Sequence, residues 1–324
     1  MNHFPTIVTV TFSPCIDKST SVSCLIPEKK LRCTAPGLEP GGGGINVARA
    51  IKKLGGEAIA VYPAGGYTGK FFNQLVVSEK ISPVIIEMAE ETRENIIILD
   101  ESTQQQYRFG LPGSPMQEKE WQQVIDRVQE IEEPAFIVVS GSLPPGVPDD
   151  ILARLSHIAR KKNSKFIADV PGNALQLAIK EGVYLIKPNL GELSALAGKD
   201  HLLSAEIPVV ARKLIADGNC EVVVVSMGPS GALLVTKDFT KAISAPTVKR
   251  RSTVGAGDSM VAGIIYFLAT GKALEQAVQF GVACGTAAAM NPGTQLCKKG
   301  DAEDLFNIIV ESDNMRSDFK YLSV

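Results

Sequence analysis

The chain has 324 residues, a formal net charge of −2, 45% hydrophobic and 21% charged residues, enough to bury a full core in one large α/β domain. Positive and negative residues are mixed along it, so no broad basic field exists; this argues against nucleic acid or an anionic membrane as partner and leaves any phosphate to a few local cations. The six cysteines lie far apart, without C-x-x-C pairs or zinc spacing, which fits free thiols in a reducing compartment.

The first residues, MNHFPTIVTVTFSP, carry no basic leader and alternate like a strand, so a cytoplasmic protein is expected. Further short apolar runs follow at 58–64, 135–142, 165–170, 183–189 and 222–228, with helical patterns between them. That rhythm predicts a three-layer α/β/α fold with a mostly parallel central sheet, in a single domain over 1–324. Two stretches break it. Residues 18–40 hold three prolines and no helical period, and 84–110 reads as three short strands; together they predict a small antiparallel β lid. ALLVTKD and KAISAPT form a hairpin, and the C-terminal SDNMRSDFKYLSV reads as a loosely attached tail. The longest apolar stretch, Met260 to Ala269, is too short to cross a bilayer. Ligands of such sheets bind beyond the carboxyl ends of the strands, which singles out Asp17, Gly141, Ser142, Asp169, Asn189, Ser226 and Gly228.

The glycine run EPGGGGINVARAIKKLGG, residues 39–56, opens a helix with Val47, Ile51 and Leu54 on one face. It is not a dinucleotide fingerprint: G-x-G-x-x-G ends on Asn46 or Val47 in either register, and no apolar strand leads in. AGGYTGKF at 64–71 has Ala64 and Phe71 where a Walker A loop needs Gly and Ser or Thr.

STVGAGDSMVAG, residues 252–263, offers another device. Gly255, Ala256 and Gly257 let a ligand approach the backbone where a helix begins, and the free N–H groups of its first turn suit a phosphoryl group. Asp258 then has two readings, a helix cap worth about 1 kcal/mol or the base that takes a hydroxyl proton during phosphoryl transfer.

STVGAGDSMVAG resembles the C-terminal signature of the ribokinase-like (phosphofructokinase B) sugar kinases, and PGGGGINVARAIKKLGG their N-terminal one. VVSGSLPPGV, KPNLGELSAL, VVVSMGPSGAL and FGVACGTAAA continue the likeness in order over about residues 6–297. The resemblance implies an ATP-dependent sugar-phosphate kinase with Asp258 as base and the amides of Gly255, Ala256, Gly257 and Asp258 as an anion hole. It implies nucleotide contacts at Lys187, Asn189, Ser226, Gly228, Gly231, Ala283 and Asn291, and Mg²⁺ held through Glu192 and Asp169. A monovalent cation, K⁺, is implied near Thr253–Gly255 and the NPGT turn. For the sugar it implies Asp17, Gly42, Gly43, Asn46 and Ser142, with Lys30, Arg32 and Arg93 for its phosphate and a homodimer formed through the lid. PEKKLRCTAP, TREN and QYRFGLPG look most like the branch acting on fructose 6-phosphate, whereas relatives using fructose 1-phosphate or tagatose 6-phosphate commonly place lysine where Gly43 stands. A noncatalytic sugar-phosphate sensor on the same fold and, more distantly, a nicotinamide oxidoreductase are the competing readings.

Overall fold

The computed structural model describes residues 4–321, with side chains to residue 314. Its elements begin with β1 (Ile7–Val10), β2 (Cys15–Val22), β3 (Gly37–Gly41), α1 (Gly43–Leu54), β4 (Ile59–Gly65), α2 (Gly66–Ser78), β5 (Ser82–Met88), β6 (Arg93–Asp100) and β7 (Gln105–Gly110). Next come α3 (Glu118–Glu130), β8 (Phe136–Ser140), α4 (Ile151–Lys161), β9 (Lys165–Asp169), α5 (Asn173–Glu181), β10 (Val183–Ile186), α6 (Leu190–Leu196), α7 (Ile207–Asp217) and β11 (Cys220–Ser226). The chain closes with β12 (Ala232–Thr236), β13 (Thr240–Ile243), α8 (Ala256–Ala269), α9 (Leu274–Ala289) and α10 (Lys299–Tyr321).

Nine strands form the main sheet in the order β13-β12-β11-β10-β9-β8-β1-β4-β5. Every pairing from β11 through to β5 is parallel, and the hairpin β12-β13 adds an antiparallel edge. Because both faces are covered, the central strands are apolar at consecutive positions: Ile7 enters one core and Val8 the other. The first core packs α1, α8 and α9 on one face, the second α3, α4 and α5 on the opposite one. Chain direction across the sheet reverses between β1, which leads to β4, and β8 on its other side. Crevices at such switch points are where open α/β sheets bind ligands.

The lid is a four-stranded sheet, β3-β2-β6-β7, antiparallel at its two outer pairings and parallel between β2 and β6. The run at 82–88, which the sequence reading assigned to the lid, is instead the edge strand β5 of the main sheet. The α2 crossover carries it back alongside β4 in parallel, burying Ile86 and Met88.

The tail is corrected as well. Residues 312–321 continue α10, and Asp313 is anchored 3.1 Å from Lys241 Nζ and accepts a bond of 2.6 Å from Gln279; residues 322–324 lie outside the described residues. Among the described residues no helix is long and apolar enough to cross a membrane.

Candidate active site

The glycine turn and the end of β8 meet at the switch point. A Cβ on Gly43 would lie 2.4 Å from Ser140 Oγ and 2.5 Å from the Gly141 amide nitrogen, so only glycine lets these backbones come so close. A lysine there would need the β8 end to move. Helix α1 starts at this turn and presents Asn46 to the site one turn in, its N–H bonded to Gly42 O at 2.8 Å.

Across the crevice, Gly255 caps the start of α8 in a left-handed conformation with φ of 73°. Ser252 secures the approach: its hydroxyl donates to Gly293 O at 2.7 Å and accepts from the Val254 amide at 3.1 Å. Asp258 is the third residue of the helix and makes no capping bond, so the capping reading fails. Its Oδ2 instead accepts from Asn46 Nδ2 at 2.9 Å, a contact joining positions 212 residues apart. Burial, followed by repulsion from Asp169, raises its pKa to about 6, against the lowering pull of Asn46 and Lys187. A carboxyl with that value is ionised at neutral pH yet basic enough to take a proton.

Lys187 follows β10 and is 5% exposed. Its ammonium lies 3.1 Å from Asp169 Oδ1. Burial opposes its charge, yet Asp169, Glu192 and Asp258 together hold its pKa above the ordinary lysine value. Asp169, at the end of β9, accepts from Ser140 Oγ at 3.3 Å. Asn189 and Glu192 form a capping box at the start of α6: Asn189 Oδ1 accepts from the Glu192 amide and Glu192 Oε2 from the Asn189 amide, both at 2.9 Å. Asn189 also bridges to Ser226 at the end of β11, and Gly228 and Gly231 flank the short turn before β12.

On the lid side, Asp17 of β2 is 5% exposed and accepts from Asn95 Nδ2 at 3.0 Å and from the Cys15 thiol at 3.3 Å. Burial, then the Asp17 charge, pushes the Cys15 thiol well up, so it stays protonated and donates. Arg93 opens β6 and donates to Ser13 Oγ at 2.9 Å, Ser13 O at 3.1 Å, Asn95 Oδ1 at 2.9 Å and Leu111 O at 3.0 Å.

Asp258, Asn46, Lys187 and Asp169 thus come together, and the lid group of Asp17, Asn95 and Arg93 forms a second cluster. Lys30 and Arg32 are exposed in the loop between β2 and β3, and Ser142 is exposed just beyond Gly141, the residue that meets the glycine turn. Ala283 is 0% exposed inside the α9 core, which corrects its assignment to an adenine contact: no surface remains for a ring to touch. Asn291 points inward too, its Nδ2 donating to Ala287 O at 3.3 Å and Leu296 O at 3.0 Å, so it closes the end of α9. Sequence reasoning missed Ser13, Cys15 and Asn95. A signal for Asn95 existed, because in a strand residues 93 and 95 share a face.

A half-buried carboxylate beside a glycine-opened helix start, with a buried lysine opposite, defines the class as a phosphotransferase acting on an alcohol. The pfkB family carbohydrate kinase pattern matches residues 10–300, and the chain belongs to that family of ATP-dependent sugar kinases. It is 44% identical over 301 residues to the ATP-dependent 6-phosphofructokinase isozyme 2 of Escherichia coli K12, covering 93% of this chain and 97% of that one. Against the isozyme 2 of Mycobacterium tuberculosis CDC 1551 / Oshkosh the identity is 40% over 315 residues, covering 97% and 93%. The crystal structure of Escherichia coli phosphofructokinase-2 in complex with potassium superposes with a TM-score of 0.90 at 43% identity, over 94% of this chain and 99% of that one.

Proposed function

We propose that this enzyme transfers the terminal phosphoryl group of ATP to the free primary hydroxyl of fructose 6-phosphate, giving fructose 1,6-bisphosphate. The observation that carries the reading is the Asn46–Asp258 contact of 2.9 Å, which brings the glycine turn of the sugar side to the helix start of the nucleotide side. In this mechanism Asp17, Gly42, Gly43, Asn46 and Ser142 orient the sugar hydroxyls. Asp258 removes the proton of the attacking hydroxyl as the bond to phosphorus forms. The amides from Gly255 to Asp258 and the Lys187 ammonium face the charge that develops on the transferring group, and ADP leaves in line.

Asn189, Ser226, Gly228 and Gly231 line the nucleotide side. Asp169, Glu192 and Asn189 supply hard oxygens of the kind Mg²⁺ takes, in the small number it uses when substrate phosphates and water complete its shell. A Mg²⁺ ion held by these residues would supply charge neutralisation for the transfer. K⁺ is assigned to the region of Thr253–Gly255 and the turn at 291–294, a reading supported by the potassium complex of the Escherichia coli relative.

Arg93, Lys30 and Arg32 are assigned to the 6-phosphate. A homodimer through the lid is supported by the exposed Ile96, Tyr107, Phe109 and Leu111 on and beside β6 and β7. Six free cysteines fit a cytoplasmic site of action, and the main body with its lid acts as one domain. Gly43, standing where relatives that act on fructose 1-phosphate or tagatose 6-phosphate commonly carry lysine, favours fructose 6-phosphate as the substrate.

The test is product identification by phosphorus NMR with each of the three sugar phosphates and MgATP. Fructose 1,6-bisphosphate formed fastest is the expected result; faster turnover of either competitor overturns the substrate, and no turnover of any of them overturns the reaction.

A further inference from the structure

The geometry points to Arg49 as a positioning residue for the base, acting through the side-chain amide of Asn46. This rests on the reading of Asp258 as the base.

Arg49 lies on α1, three residues after Asn46 and therefore on the same face. It is only 1% exposed, an unusual place for a permanent charge, and no step above uses it. Its guanidinium is enclosed by acceptors from three elements. Nη1 donates to Pro40 O of β3 at 2.9 Å and to Asn46 Oδ1 at 3.2 Å. Nη2 and Nε donate to Glu79 Oε1, just past α2, at 2.8 and 3.2 Å, and Nη2 lies 3.5 Å from Glu39 Oε1 of β3. Glu39 in turn accepts from the Thr294 hydroxyl in the 291–294 turn.

The consequence follows from the chemistry of the two groups. A guanidinium has donors only, and an ionised carboxylate accepts only. Asn46 stands between them, so its carbonyl oxygen must face Arg49 and its NH₂ must face Asp258. The flipped amide would set NH₂ against guanidinium and oxygen against carboxylate, losing both bonds and adding two repulsions. Arg49 therefore fixes the amide orientation that holds Oδ2 of Asp258 and leaves Oδ1 for the acceptor hydroxyl. A lysine cannot replace the fork, because a single ammonium at the Glu79 and Glu39 carboxylates does not also reach Asn46 in the plane of its amide. By tying Pro40 of β3 to the same amide, Arg49 also makes the base sensitive to the seating of a lid strand.

The experiment is a double-mutant cycle on steady-state kinetics, using Arg49→Met, Arg49→Lys, Asn46→Ala and the combinations. Both Arg49 substitutions should lower kcat by roughly tenfold to a hundredfold, as small misplacements of reacting groups do, with the KM for ATP within about twofold. In the Asn46→Ala background the same substitutions should cost less than about twofold more, because the group they act through is gone. Should Arg49→Met not fold, Arg49→Lys keeps the charge beside Glu79 and gives the same readout.

A folded Arg49 variant with kcat within about twofold of the parent, or losses that multiply in the double variant, overturns the proposal. The parent enzyme is assayed first. If it rejects fructose 6-phosphate but accepts another sugar phosphate, the substrate reading fails alone, and the cycle still judges Arg49 on the accepted sugar.

Discussion

Asp258→Asn should separate activity from stability. The carboxyl is displaced from its ordinary value of 3.8 to about 6 by burial and by Asp169; carrying it ionised at neutral pH therefore costs the folded state about 3 kcal/mol. The sign follows from the folded-state value lying above the unfolded one. The cost is full above about pH 6, shrinks as the pH falls from there toward the ordinary carboxylate range, and is gone once both states are protonated. An asparagine is neutral throughout and its oxygen can still accept from Asn46. The variant should accordingly be more stable than the parent by up to about 3 kcal/mol at pH 7.5 and nearly equal to it below pH 4. Turnover should fall at least about a hundredfold, since no group remains to take the proton. In the parent, kcat/KM should decline on the acid side with a midpoint near the Asp258 value of about 6. Urea denaturation at the two pH values and a coupled ADP-release assay measure these quantities. Turnover within tenfold of the parent would refute the base, and equal stability at pH 7.5 would refute the electrostatic argument.

Two further outcomes follow. Arg93→Ala should raise the KM for sugar phosphate much more than that for ATP, measured by varying each substrate in turn; equal effects on both would place Arg93 outside the sugar site. Gly43→Ala places a methyl within 2.4 Å of Ser140 Oγ; it should destabilise the fold by about 1–3 kcal/mol in urea melts and weaken sugar binding, and an unchanged melt would mean that the β8 end yields freely.

The parts visible in the sequence were those whose pattern is local. Apolar runs such as FIVVS and VVVVS announce buried parallel strands, and GAGD announces a helix start opened by small residues with a carboxylate in the first turn. What escaped notice depends on pairing at a distance. The 82–88 strand looks like its neighbours in the lid until the α2 crossover is seen to return it to β4. Ala283 belongs to a family signature, yet one residue cannot say which face of a fully buried helix it occupies. Asn95 and Arg49 have partners far along the chain, Asp17 and Glu79 among them, and a shared strand or helix face does not name those distant partners. Asp313 likewise gains its anchors from the hairpin and from α9.

Residues 37 to 54 pass without a break from an outlying strand of the small sheet, through the glycine turn, into the helix bearing Asn46. Under the proposed function, a hexose that engaged β3 would act on the same segment that carries Asn46, whereas water would not. Small alcohols that fit the cavity without touching that strand should then make poor acceptors, and ATP hydrolysis without sugar should be slow.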